Sequence, residues 1–151
     1  RVQQSPTNVR MMELLGGSAT PMGFGDVYTA LQAQMLDGAE NNELALTDNG
    51  HGDVCKYYSY TMHQMIPDIL IGNLGFMDGL SQEERAIFDE GFQILNQTQR
   101  EAWTDAVEAA KDKAQNEQGV NFIYPDIAPF QEAVAPMHEE MLAEYPDLAP
   151  I

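Results

Sequence analysis

Arg1 is the first residue whose chemistry can be weighed. In a chain with 24 Asp and Glu against seven Lys and Arg, a cation beside an apolar residue is either paired to a carboxylate or kept for an anionic ligand. Its planar fork can grip a carboxylate through two parallel hydrogen bonds, which a Lys ammonium cannot do, whereas a plain surface Arg at this position would have no such role. Asn41 and Asn42 each offer a carboxamide donor and acceptor, suited to ligand hydroxyls or a second carboxylate oxygen, although paired Asn residues also form turns. Phe24, beside Gly25, can floor a pocket or simply join the core. None of these residues is decisive by itself.

Templates for catalysis are missing. His51, His63 and His138 lie far apart and none forms a His-x-x-x-His pair, and His138-Glu139-Glu140 reads as a solvated helix face. There is no Gly-x-Ser-x-Gly elbow and no Gly-x-x-x-x-Gly-Lys loop, and Gly23-Phe24-Gly25 lacks the third glycine of a dinucleotide fingerprint. A hydrolase would need His51 or His63 in a pocket, paired with a carboxylate and with a perturbed pKa. Asp48-Asn49-Gly50 with Asp53 is only a faint echo of a calcium loop. Cys55 is the single cysteine, which excludes an internal disulfide and any zinc site built on several thiolates. No metal or cofactor is expected, and the chain is read as a non-enzyme.

Composition narrows the partners. The 151 residues, 44% of them hydrophobic, suffice for one modest core. A formal net charge of -17 repels DNA, RNA and anionic bilayers, so nucleic-acid and peripheral membrane binding are excluded. No run of apolar residues is long enough to span a bilayer, so direct membrane insertion is not expected. The chain opens on Arg1-Val2-Gln3-Gln4 without an initiator Met or a signal segment, and it is expected to be a piece of a longer protein.

The elements that must position these residues follow from punctuation and periodicity. Ser5-Pro6 predicts a helix start, with Val9, Met12 and Leu15 on one face until Gly16-Gly17 stops it. Ala19 to Met22 reads as a short edge strand or extended link, and Phe24-Gly25-Asp26 introduces a helix with Tyr28, Leu31 and Met35 as its buried stripe, ended by Gly38. Glu43 to Thr47 predicts one or two helical turns, and Asp48 to Gly52 a loop. Val54 to Tyr60 and Ile66 to Ile71 predict two largely buried strands. Ser81 with Glu84 forms a capping box for a helix that meets no strong stop before Gly119, about 37 residues or roughly 55 Å long, with Gly91 its weak point. Val120 to Tyr124 predicts another strand. Pro125-Asp126 leads into a last helix holding Phe130, Val134, Met137 and Met141, with Pro136 as a kink. The order is α/β, with parallel pairings that need crossovers.

Arg1-Val2-Gln3, Pro21-Met22-Gly23-Phe24-Gly25-Asp26-Val27-Tyr28-Thr29-Ala30-Leu31-Gln32 and Asp37-Gly38-Ala39-Glu40-Asn41-Asn42 together closely resemble the signature region of TRAP-transporter substrate-binding proteins of the DctP type. The resemblance continues through Tyr57 to Asn73, the long helix from Ser81, and Pro125-Asp126-Ile127-Ala128-Pro129-Phe130. It covers the whole chain but only about the C-terminal half of a family member.

The resemblance implies a periplasmic-binding-protein-like two-lobed α/β fold with a long bracing helix. Residues 1–65 would be part of the second, ligand-anchoring lobe, 66–80 a crossing strand into the first lobe, 81–118 the bracing helix, and 119–151 the return strand and helix of the second lobe. It implies a periplasmic protein that captures a small organic acid by domain closure and delivers it to TRAP-transporter membrane subunits. By position, Arg1 inherits the salt bridge to the ligand carboxylate, Phe24 lines the ligand, and Asn41 hydrogen-bonds the carboxylate region. Glu40, Asn42 and His63 are further contacts to hydroxyls or a second polar end. Asn42 stands where many members have Pro, which points to sugar acids at least as much as C4-dicarboxylates. Without the family's first lobe, strands would lack neighbours and the long helix would expose an apolar face. The alternative is an acidic helical protein-interaction domain with no small-molecule ligand.

Overall fold

The computed structural model describes residues 1–149. It resolves into two compact units, one formed by residues 1–63 together with those from Ala110 onward, the other by Gln64–Ala109.

In the first unit, Arg1 and Val2 form an extended segment flanked on both sides. Val2 N donates to Thr20 O at 3.1 Å and Met22 N to Val2 O at 3.2 Å, making a parallel bridge between Val2 and Pro21. On the other side Arg1 N donates to Gly38 O at 2.6 Å and Glu40 N to Arg1 O at 3.4 Å. Val2 is fully buried, so the segment that carries Arg1 cannot slide without opening the core.

Helix α1, Pro6–Leu14, starts at the expected Pro and ends at Gly16, whose φ of 81° suits a glycine. A 3₁₀ turn, Phe24–Asp26, leads into α2, Val27–Gln32, which buries Val27, Ala30 and Leu31. These join Leu36 in a core cluster flanked by Met22, Val54 and Cys55. Met35, expected in the buried stripe, is 75% exposed instead. The helix stops at Gln32 and Gln34 adopts φ 55°, which breaks the helical period and turns Leu36 inward in place of Met35.

Helix α3 spans Leu44–Thr47. The expected loop over Asp48 to Gly52 is shorter than predicted, because Gly50 takes a left-handed φ of 70° and His51 opens a further helical turn, α4, His51–Val54. Strand β1 is only Tyr57–Ser59, and it pairs in parallel with β2, Asn121–Ile123, with Tyr58 opposite Phe122. Tyr58, Tyr60, Phe122 and Tyr124 form a ladder of rings, Tyr60 and Tyr124 stacked at 4.9 Å. Under it lies a second core cluster of Leu46, Ala114 and Val120. Helix α7, Ala128–Glu144, continues through Pro136 and leaves Phe130, Val134, Met137 and Met141 half-buried. It packs on α1, with the Arg10 guanidinium gripping Glu140 through Nε at 3.0 Å and Nη2 at 2.6 Å.

The second unit holds α5, Leu74–Asp78, and most of the long helix α6, Gln82–Asn116, which is 35 residues in length. The capping box forms as read: Ser81 N donates to Glu84 Oε2 at 2.8 Å and Glu84 N donates to Ser81 Oγ at 3.2 Å. Ile66 to Ile71, expected to be a buried strand, forms no ladder and leaves Ile66, Ile69, Leu70 and Ile71 exposed. A strand needs a neighbour for its backbone donors and acceptors, and none pairs with this segment among the described residues. Phe76, Phe88 and Phe92 make a small aromatic chain, while Ile87, Ile94 and Leu95 on α6 stay exposed.

Candidate ligand-binding site

The three extended pieces at Arg1, Pro21–Met22 and Gly38–Glu40 converge on the Arg1 guanidinium. Its side chain is 5% exposed and forms an ion pair with Glu40, itself 10% exposed, at 3.0 Å from Nη1 to Oε1. Nε donates to Met22 O at 3.0 Å. Two edges of the fork are thus spent on the protein, while Nη2 makes no hydrogen bond among the described residues. A guanidinium held in this way presents its remaining edge in a fixed direction, and an acceptor that meets it gains a charge-assisted hydrogen bond.

Glu40 is shared. Its other oxygen lies 3.8 Å from His63 Nε2, and His63 Nδ1 meets the Thr61 hydroxyl at 2.8 Å. His63 therefore reaches the site through Glu40, and of the two histidines singled out by sequence it is the one that meets a carboxylate.

Phe24 lies on the other side of Arg1, whose Cζ is 5.9 Å from the ring centroid. Phe24 as a whole is 41% exposed. Asn41 Oδ1 accepts from Asn42 N at 2.8 Å, which commits the carbonyl end of the carboxamide and leaves its NH₂ as a donor. Asn42 Oδ1 accepts from Leu44 N at 3.1 Å, an Asx turn that leads into α3. Arg1, Phe24, Glu40 and His63 are thus linked by contacts, and Asn41 and Asn42 occupy the loop that Glu40 begins. A cleft of about 290 Å³ opens beside this loop, lined by Asn41, Asn42, His51 and Tyr58 among others, with Arg1 and Phe24 outside its lining.

Two residues to which sequence reasoning gave no binding role, Tyr58 and His51, border the candidate site. The Tyr58 hydroxyl donates to Asn41 O at 2.9 Å. Burial, followed by the Glu43 and Glu40 carboxylates, pushes its phenol well above the usual tyrosine range, so it remains a donor. His51 is 6% exposed and its ring packs against Phe24, centroids 5.7 Å apart. Burial and then the Arg1 charge hold its pKa below the ordinary histidine value. Alternating hydrophobicity over Val54 to Tyr60 could have marked Tyr58 as inward-facing; for His51 no local signal exists.

The chain was compared with known proteins. The model of the family described as bacterial extracellular solute-binding protein, family 7 (DctP), matches residues 1–145. A solved periplasmic solute-binding protein of TRAP type from Anaerococcus prevotii, with bound D-glucuronate, is 63% identical at a TM-score of 0.89, covering 99% of this chain and 49% of that one. Another from Sulfitobacter sp. NAS-14.1, with bound β-D-galacturonate, is 34% identical at a TM-score of 0.89, covering 99% and 50%. A curated solute-binding protein of Chromohalobacter salexigens is 34% identical over 149 residues, 98% of this chain and 44% of its own length. The chain thus spans about half the length of the relatives it matches. Matched by the family model over residues 1–145 and a fragment of the fold of those neighbours, the chain belongs to the DctP family of bacterial extracellular solute-binding proteins.

Proposed function

We propose that this chain supplies the acid-anchoring lobe of the solute-binding component of a TRAP transporter, and that its ligand is a hexuronate such as D-glucuronate or D-galacturonate. The observation that carries the proposal is the buried Arg1 guanidinium, pinned by Glu40 and Met22 O, with its Cζ 5.9 Å from the ring of the partly exposed Phe24. Bound uronates in the two similar solved proteins support the same class.

The ligand carboxylate takes the free edge of Arg1, and the Asn41 amide donates to its second oxygen. The Phe24 ring lies against the apolar face of the sugar. Hydroxyls at the far end meet Asn42, Glu40 and His63. Residues 1–65 and 119–151 belong to the anchoring lobe, 66–80 to the crossing segment and 81–118 to the bracing helix. Closure of the other lobe excludes water, which strengthens each of these bonds and stabilises the closed state by its differential affinity for the acid. The loaded protein acts outside the cytoplasm, in the periplasm, and hands the acid to the transporter's membrane subunits. Binding requires no covalent step and no cofactor.

A thermal-shift series tests this on a chimera in which the first half of the Anaerococcus prevotii relative precedes Arg1. D-glucuronate at about 100 times its Kd should stabilise by roughly 2.7 kcal/mol, worth several degrees, while succinate and malate should do less. The shift should disappear in Arg1→Ala. A folded chimera that answers to no organic acid would end the proposal in favour of a protein-interaction role.

A further inference from the structure

Phe24 opens a 3₁₀ turn between Gly23 and Gly25. Its ring meets Arg1, 5.9 Å from the centroid, and the His51 imidazole at 5.7 Å with planes inclined by 53°. His51 is 6% exposed, and the Phe24 ring is the aromatic group its imidazole packs against. We infer that His51 is a positioning residue, a neutral aromatic backstop that holds the Phe24 ring against Arg1 and fixes the wall on which the sugar acid packs. The inference rests on the binding reading above.

The electrostatics give the idea a distinctive readout. Arg1 supplies the charge that reaches the imidazole, which burial already disfavours in its protonated form. The other nearby groups are otherwise engaged: Asp53, on the same helix, accepts from Gln118 Nε2 at 3.1 Å, and Lys56 Nζ donates to Gly52 O and Gln118 O. From α3, Asp48 accepts from the Thr47 hydroxyl, and from α2 the Tyr28 ring lies beside Gly50. From the site loop, Glu40 faces Arg1 and His63. A carboxylate bound on Arg1 cancels the field that opposes protonation of His51. Its proton affinity therefore rises on binding, and by linkage the acid binds more tightly as pH falls through the His51 range.

The experiment measures D-glucuronate affinity calorimetrically for the chimera and its variants from pH ~7.5 to ~5.5, the window in which a histidine titrates. His51→Ala should weaken binding roughly three- to tenfold, the worth of one aromatic contact, and His51→Phe should restore it. Tightening at low pH should be smaller in His51→Phe than in the wild type. Unchanged affinity and pH profile in His51→Ala overturns the inference, as does equal loss in the Ala and Phe variants. The unliganded protein is read separately by NMR: Phe24 and His51 ring protons should show mutual cross-relaxation, and Arg1→Ala should raise the His51 titration midpoint. Absence of both effects overturns the inference whatever the ligand. Their presence in a chimera that binds no acid ends the binding reading instead, and with it the role in ligand packing.

Discussion

The Tyr58 hydroxyl donates to the Asn41 carbonyl at 2.9 Å, tying strand β1 to the loop that carries Glu40, Asn41 and Asn42. The phenol is half-buried and stays protonated through the whole working range, because burial and two neighbouring carboxylates oppose its ionisation. Tyr58→Phe should cost about 1 kcal/mol of stability, the net worth of one hydrogen bond, and loosen the loop. Urea unfolding of the variant gives the first number. A ligand titration gives the second, with weaker D-glucuronate binding expected at unchanged secondary structure.

Arg1 and Glu40 separate stability from binding. Arg1→Met leaves Glu40 buried without its partner and should destabilise by ~3–5 kcal/mol. Adding Glu40→Leu removes the stranded charge and should recover most of that loss while leaving binding absent. Thermal melts of the single and double variants, with and without D-glucuronate, check both halves. A double variant that regains ligand response would show that Arg1 is not the anchor.

Helix α6 carries one avoidable cost. Gly91 is exposed in its interior, and a Cβ there would meet nothing within 4 Å. Gly91→Ala should stabilise by about 0.5–1 kcal/mol, by restricting the unfolded chain and raising helix propensity. Ser81→Ala should lose about 1 kcal/mol by removing the cap on Glu84 N. Chemical denaturation of the two variants should move the midpoint in opposite directions.

Acid should release α7 from α1. The Arg10 guanidinium, by hydrogen bonding first, holds the Glu140 carboxyl below its ordinary pKa of 4.5. A group whose folded pKa is depressed contributes stability above its unfolded value and loses it as pH falls through the folded one. Amide exchange in α7 should therefore quicken below about pH 4.5 relative to α6. Glu140→Gln should show the faster exchange already at neutral pH, with a small effect because both side chains are largely exposed.

How far the molecule could be read from its residues depended on where the determining contacts lie. The Ser81–Glu84 box, the stop at Gly16 and the start at Pro6 are local in sequence and form as expected. Arg1 was legible as a cation with a purpose, and its structural answer is double: it is paired to Glu40 and still keeps one edge. Met35 was misplaced because the early end of α2 depends on Gln34 entering a left-handed conformation, which no periodicity announces. Ile66 to Ile71 has the composition of a strand, but composition cannot provide a neighbour. His51 was weighed only as a catalytic histidine, because its burial comes from a four-residue helix whose contacts are with α2 and α3, distant in pattern though close in space.

The parallel pairing of β1 with β2 has a consequence for synthesis. Lys56 and Asn121, joined where the two strands meet, are 65 residues apart. At roughly 5–20 residues per second, translation needs several seconds to deliver the second strand after the first has been made. During that interval Tyr58 and Tyr60 have no ladder to join, and the loop beginning at Glu40 lacks the settled strand that tethers Asn41. The paired strands and the loop they tether are thus completed only after the later strand has been made.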